Sequence, residues 1–234
     1  MKLLRSLLFN IFFYISLILA SFVIIFLYPF ISTSSLQIVS SYWVKLMLNA
    51  LKILCGVSWK VEGIDNLPNT PCIIVSNHQG QWESFFLQTL IIPSSSIIKK
   101  GLLYIPFFGW ALACLKPIHL RRKRKYVSMK KVIKDGSKKL KKGTSIIIFP
   151  EGTRNDPKNG LKKFSNSCGV LSVNNAVPII PICHNSGLYW KNKKFIKESG
   201  IVKVIIGSPI YENSAKEATR EAYKWINSKF SEIH

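Results

Sequence analysis

Apolar and polar positions along the chain fall into two regimes. Residues 7–30 carry no charge, and as a helix this run would be about 36 Å long, more than the roughly 30 Å hydrocarbon core of a bilayer. Its length, with no small-x-small cleavage pattern after it, separates it from a cleaved leader and makes it a membrane-anchor candidate. Pro29 and the cluster Ser32-Thr33-Ser34-Ser35 end the run, and a second helix is predicted over 36–55 with Gly56 as its stop. Trp43, Lys45, Asn49 and Lys52 give that helix an interfacial rather than a spanning character. Two arrangements remain open, a hairpin resting in one leaflet or a first helix that spans alone.

From Val57 onward, short apolar runs rich in β-branched residues alternate with helical periodicity. Strands are predicted over 59–62, 72–76, 96–99, 118–120, 145–149, 177–183 and 202–206, and helices near 82–90, 108–115, 127–141 and 214–230. Such alternation predicts an α/β domain over 57–234, preceded by membrane-anchoring helices over 1–56. Several strands are uninterrupted apolar runs, which predicts a sheet covered on both faces. Pro178 and Pro181 interrupt the sixth strand and predict an edge or an irregular end there.

Charge changes the picture next. Lys and Arg number 33 against 11 Asp and Glu, a formal net charge of +22, which favours anionic partners such as membrane headgroups, phosphorylated substrates, an acidic carrier protein or nucleic acid. The basic mass after the apolar segment is expected on the cytoplasmic side. Five cysteines, Cys55, Cys72, Cys114, Cys168 and Cys183, are odd in number and widely spaced, which suits small core residues in a reducing compartment rather than a disulfide framework or a thiolate metal site.

Candidate chemistry begins at Ser76-Asn77-His78-Gln79-Gly80-Gln81-Trp82-Glu83, directly after an apolar run. Residues five apart on one helix lie about 140° apart and cannot share a proton. They can if His78 sits in a turn and a helix opens at about Gln81 with Glu83 in its first turn. Glu83 would then fix the imidazole tautomer and leave the other nitrogen free to act as a base. Taken alone, this spacing more often marks an ordinary loop histidine beside a helix-start glutamate. A second stretch, residues 99–110, combines two lysines with aromatic, proline and glycine positions suited to a shaped apolar wall, and ends after a helix in Arg121-Arg122. A third, Phe149-Pro150-Glu151-Gly152-Thr153-Arg154, is a tight turn after a buried strand, in which Arg154 can hold a phosphate in a bidentate way. Backbone amides near Gly80 or Gly152 are candidate oxyanion donors. No Gly-x-Ser-x-Gly nucleophile turn is present, and the histidines lack clustered metal-ligand spacing.

In this order, and with residues 177–185 added, these stretches resemble the glycerolipid acyltransferase family over about 57–206, with a similar membrane-associated N-terminal segment. The resemblance implies a mixed β-sheet flanked by helices. It also implies acyl transfer from acyl carrier protein or coenzyme A to the sn-2 hydroxyl of lysophosphatidate, forming phosphatidic acid at the cytoplasmic face of a bacterial inner membrane, with no cofactor or metal. By position it makes His78 the general base and Glu83 the acid that orients it. Arg122 would bind the acceptor phosphate, with Lys99 and Lys100 as weaker candidates, and Glu151, Gly152, Thr153 and Arg154 would form the acceptor-binding turn. Pro181 would shape the acyl or acceptor site. The chain departs from the family in having Glu83 where aspartate is commoner, Arg121 where an acid is usual, and no glycine around 165–167. Another lysolipid, or glycerol 3-phosphate, is the alternative acceptor.

A different class competes, a basic membrane-surface or nucleic-acid-binding module, supported by Arg121-Arg122-Lys123-Arg124-Lys125 and the lysines of 130–142. No aromatic-interleaved motif accompanies those lysines, which argues against nucleic acid. His184 is expected to be structural or to support a residue that meets the substrate, and His119 and His234 carry no functional signal.

Overall fold

The computed structural model describes residues 1–120 and 125–234, without the side chains of 125–128. Two long helices, α1 (Lys2–Leu27) and α2 (Thr33–Cys55), precede β1 (Val57–Glu62), β2 (Ile73–Ser76), α3 (Trp82–Phe86), β3 (Ser94–Lys99), α4 (Phe108–Cys114) and β4 (Ile118–Leu120). The chain continues through α5 (Lys125–Leu140), β5 (Ser145–Ile148), α6 (Ser167–Asn175), β6 (Ile179–His184), β7 (Gly200–Ile206) and α7 (Ala215–Ile233). Each expected strand and helix is present, and α6 is additional. Its sequence, Ser167-Cys168-Gly169-Val170-Leu171-Ser172-Val173-Asn174-Asn175, is too poor in strong helix formers to announce itself.

The strands form one mixed sheet in the order β1-β7-β6-β2-β5-β3-β4. Every neighbouring pair is parallel except β6 with β7. The sixth strand is therefore interior, so of the two alternatives its prolines allowed, the edge is excluded. Pro181 pairs with Val75 of β2 in register, yet its carbonyl accepts from Gly207 N at 2.8 Å on the other side. Its ring nitrogen thus faces the end of the β7 ladder, beyond Ile206, where the missing N–H interrupts no paired strand.

Successive residues of each strand enter opposite layers, as the pleat requires. Ile74, Ile147, Ile180, Val202 and Val204 pack with Phe9 and Phe13 of α1, Val44, Met47, Leu48 and Leu51 of α2, and Trp82 and Phe86 of α3. Ile73, Val75, Ile146, Ile148 and Cys183 pack on the other face with Val132 of α5, Leu171 of α6 and Ala222 and Ile226 of α7. The N-terminal helices are thus half of the sheet's covering, and one core runs across Gly56. Ser32 caps α2 by accepting from Ser35 N, and Gly56 stops it at a left-handed φ of 70°.

The hairpin lies along the sheet. At one end Lys2 pairs with Glu198, just before β7, and Arg5 Nε donates to Leu54 O. At the other, Ile24 packs with Leu36 and Ala111 of α4, and Gln37 exchanges two hydrogen bonds with the backbone of Ser94 at the start of β3. By length and composition both helices could cross a membrane, with mean hydropathies of 2.5 and 1.3.

Candidate active site

Because β2, β3, β4, β5 and β6 run parallel, their carboxyl ends share one edge of the sheet. Each stretch marked out by sequence, except Pro181, follows one of those ends. This is the edge where open α/β sheets bind ligands, since backbone and loops diverge there. Counting on from the paired residues, Asn77, Pro150, Lys99 and Leu120 end level with one another.

His78 lies two residues beyond β2 and Glu83 in the first turn of α3. Their side chains meet, His78 Nδ1 to Glu83 Oε1, at 2.9 Å. The same oxygen accepts from the backbone N–H groups of Gln79 at 2.8 Å and Gly80 at 2.6 Å, a first-turn glutamate reaching back over the helix start as in a capping box. Oε2 accepts from the Ser186 hydroxyl at 2.8 Å. Glu83 is fully buried. Burial alone would raise its pKa, but the His78 hydrogen bond, the positive charge that His184 and His78 carry in acid, and the Gly80 hydrogen bond together outweigh it and hold the carboxyl well below the usual carboxylate range. An ionised Glu83 can only accept, so His78 carries its proton on Nδ1 and its lone pair on Nε2. The imidazole stacks on Phe149 at 4.1 Å and 17°, and its side chain keeps 16% of its surface exposed.

The turn after β5 grips the same loop from the other side. Glu151 accepts from His78 N at 2.8 Å through one oxygen and from Lys162 N at 3.2 Å through the other, while Asn155 N donates to His78 O at 2.8 Å. Glu151 is thus occupied in fixing the backbone of His78 rather than facing an acceptor, and burial raises its pKa. Gly152 holds φ at 69° and donates its N–H to Phe149 O at 3.0 Å, closing a turn that suits glycine. The Gly80 amide is engaged by Glu83 and the Gly152 amide by Phe149. Thr153 is half-buried in the same turn. Arg154 lies close enough for the Glu83 charge to oppose the burial that lowers its pKa, and its Nη1 donates to Asn192 Oδ1 at 3.3 Å.

The remaining expected residues are dispersed. Lys100 opens the turn after β3, two strand positions from β2 or about 10 Å, with its ammonium over the Tyr104 ring at 5.7 Å. Pro181 sits inside β6 on the α7 side of the sheet, against Gly207, and is not brought to His78. Arg122 lies outside the described residues, as does Arg121.

Two participants, Ser186 and His234, carried no recognised signal. Ser186 enters only because β6 ends beside β2. His184 is fully buried, gives its Nε2 proton to Asn77 O at 2.9 Å, and accepts from Ser186 N at 3.3 Å on Nδ1. Burial pushes its pKa down to about 4, so it is neutral at neutral pH. Asn77 closes the same junction, exchanging bonds with the His184 backbone at 2.8 and 3.1 Å. His234, at the end of α7, accepts from Gln79 Nε2 at 2.7 Å, while Gln79 Oε1 accepts from Gly187 N at 2.8 Å.

A family model described as Acyltransferase matches residues 58–185. The chain is 38% identical over 196 residues to the 1-acyl-sn-glycerol-3-phosphate acyltransferase of Pseudomonas aeruginosa, spanning 82% of this chain and 76% of that one. It is 30% identical over 140 residues to the Escherichia coli protein of the same name, covering 58% of this chain and 54% of that one. The crystal structure of a 1-acyl-sn-glycerophosphate acyltransferase from Thermotoga maritima superposes with a TM-score of 0.80, covering 99% of this chain and 95% of that one at 21% identity, a likeness of fold.

Proposed function

This chain belongs to the acyltransferase family, and from that premise we propose that it acylates the sn-2 hydroxyl of 1-acyl-sn-glycerol 3-phosphate with His78 as general base. The observation that carries the reading is the bond of His78 Nδ1 to the buried Glu83 carboxylate, which leaves the lone pair on the partly exposed Nε2. The acceptor is the one named for the Pseudomonas aeruginosa and Escherichia coli relatives. The donor is a thioester, of acyl carrier protein or coenzyme A.

In this mechanism Nε2 takes the hydroxyl proton as that oxygen attacks the thioester carbonyl. The new C–O bond forms, the C–S bond breaks, and the imidazolium returns its proton to the departing thiolate. Glu83 stabilises the imidazolium by charge and keeps the ring in the productive tautomer. Arg154 binds the acceptor phosphate, half-buried so that its charge is little screened. The enzyme works on one leaflet. α1 touches the folded domain from Lys2 to Ile24 and turns Ile11, Ile15, Leu19, Phe22 and Phe26 outward, so the hairpin lies in the membrane surface with the sheet on the cytoplasmic side.

Purified protein assayed with both thioesters against lysophosphatidate, glycerol 3-phosphate and a lysolipid of another headgroup tests the reading. We expect transfer to lysophosphatidate, and a loss of about 10²- to 10⁴-fold in His78→Ala, the range of a general base, with membrane association retained. Unchanged transfer by that variant would sink the mechanism, and preference for another acceptor would reassign the substrate.

A further inference from the structure

We propose that Lys197 is a positioning residue for the Glu83–His78 pair, seating α1 against the walls that hold Glu83 and so making the docked N-terminal helix part of the active-site framework. The inference rests on the reading of His78 as general base.

Lys197 stands in the loop between Trp190 and β7 and is only 4% exposed. Its partners are neutral. Nζ donates to Asn10 Oδ1 of α1 at 3.1 Å and to Phe195 O at 2.7 Å. It also lies over three aromatic rings, Trp190 at 5.2 Å, Phe9 of α1 at 5.8 Å and Phe195 at 5.9 Å. Its backbone N–H donates to Ser6 Oγ of α1 at 2.9 Å. A buried ammonium stripped of water is held by such contacts only while they are all present, so it responds sharply to the loss of any one. Burial also lowers its pKa.

From this seat two paths reach Glu83. Phe9 and Phe13 of α1 meet the Trp190 ring edge-on, at 5.3 and 5.7 Å. Trp190 N donates to Ser186 O at 2.9 Å, and Ser186 is the residue whose hydroxyl holds Glu83 Oε2. The Trp190 carbonyl also presses on Gly80, where a Cβ would come within 2.7 Å of it, and Gly80 donates to Glu83 Oε1. By the second path Phe13 contacts Phe85 at 5.9 Å, in the same short helix as Glu83 and two residues beyond it. Both oxygens of Glu83 are thus held by groups that lean on α1. An α1 lifted from its seat would leave the glutamate with the same partners but no wall behind them.

Lys197→Met keeps the chain length and removes the charge, a change that buried sites often tolerate in stability; Asn10→Ala removes the helix side of the same contact. Each variant would be assayed in phospholipid vesicles, and amide hydrogen exchange at Gln79 and Gly80 followed, the latter also in the His78→Ala background where activity plays no part. We expect kcat to fall about tenfold with the acceptor KM within twofold, and exchange at those two amides to quicken at least tenfold, while the thermal midpoint of Lys197→Met moves little. Unchanged exchange in both variants overturns the proposal whatever the activity. Faster exchange with unchanged kcat, in an enzyme that His78→Ala inactivates, overturns it as well. If His78→Ala itself stays active, the general-base reading has failed, and exchange alone then decides whether Lys197 holds the loop.

Discussion

Glu83 gives one oxygen to three donors and the other to a hydroxyl, so its replacements separate shape from charge. Glu83→Gln keeps the volume but cannot stabilise an imidazolium, and we expect kcat to fall on the order of 10²- to 10⁴-fold with the acceptor KM little changed. His184 gives a pH expectation. Its folded pKa of about 4 lies below the ordinary 6.5, so between these values the unfolded chain binds the proton and the folded one does not. Stability therefore falls as pH drops from 6.5 toward 4, by about 3 kcal/mol for this group. Thermal midpoints across that window should decline in the native chain and less steeply in His184→Asn. His78 and Glu83 were legible in sequence because a turn followed by a helix start is a local feature. Ser186 and His234 were not, because tertiary packing alone brings β6 and the end of α7 beside His78.

Among the elements, strands were the most legible, since short runs such as Ile146-Ile147-Ile148 have no other use than a covered sheet. Their order was not legible. Nothing local says that β6 enters between β7 and β2, and the prolines allowed an edge among their alternatives because that reasoning assumes both sides of a strand donate throughout. Where β7 stops opposite Pro181, the assumption lapses. Helix α6, equally silent in sequence, depends on a close approach that can be tested. A Cβ on Gly169 would sit 1.9 Å from the Ala215 carbonyl and 2.5 Å from Thr219 Oγ1, at the start of α7. Gly169→Ala must push the two helices apart, and we expect a loss of about 1–3 kcal/mol in denaturant unfolding, the usual cost of overpacking. Because α7 ends at His234 beside Gln79, a fall in kcat should accompany it.

At the scale of the whole molecule, the sequence divides at Gly56 into an apolar segment and a basic one, whereas the structure joins them through a single core. The division was read from the run of apolar positions and from charge, and neither tells which face of α1 turns inward, where Phe9 and Phe13 are buried. The outward face is what a membrane would meet. Ile11, Ile15 and Leu19 lie along one side of α1 at 50, 56 and 60% exposure, at the spacing that puts side chains on a common stripe. Lipid would remove about half of each side chain from water. At roughly 1.5–3 kcal/mol for a whole aliphatic side chain, the three together contribute on the order of 2–4 kcal/mol to membrane binding. The triple change Ile11→Gln, Ile15→Gln and Leu19→Gln should therefore weaken binding to vesicles by about 30- to 1000-fold in a flotation assay. None of the three belongs to the buried core, so the thermal midpoint in detergent should hold. If α1 instead spanned the bilayer, the same substitutions would place three amides in the hydrocarbon and prevent insertion altogether. A triple variant whose vesicle binding is weakened but measurable would fit a helix lying on the leaflet, and one that fails to enter the membrane would fit a span.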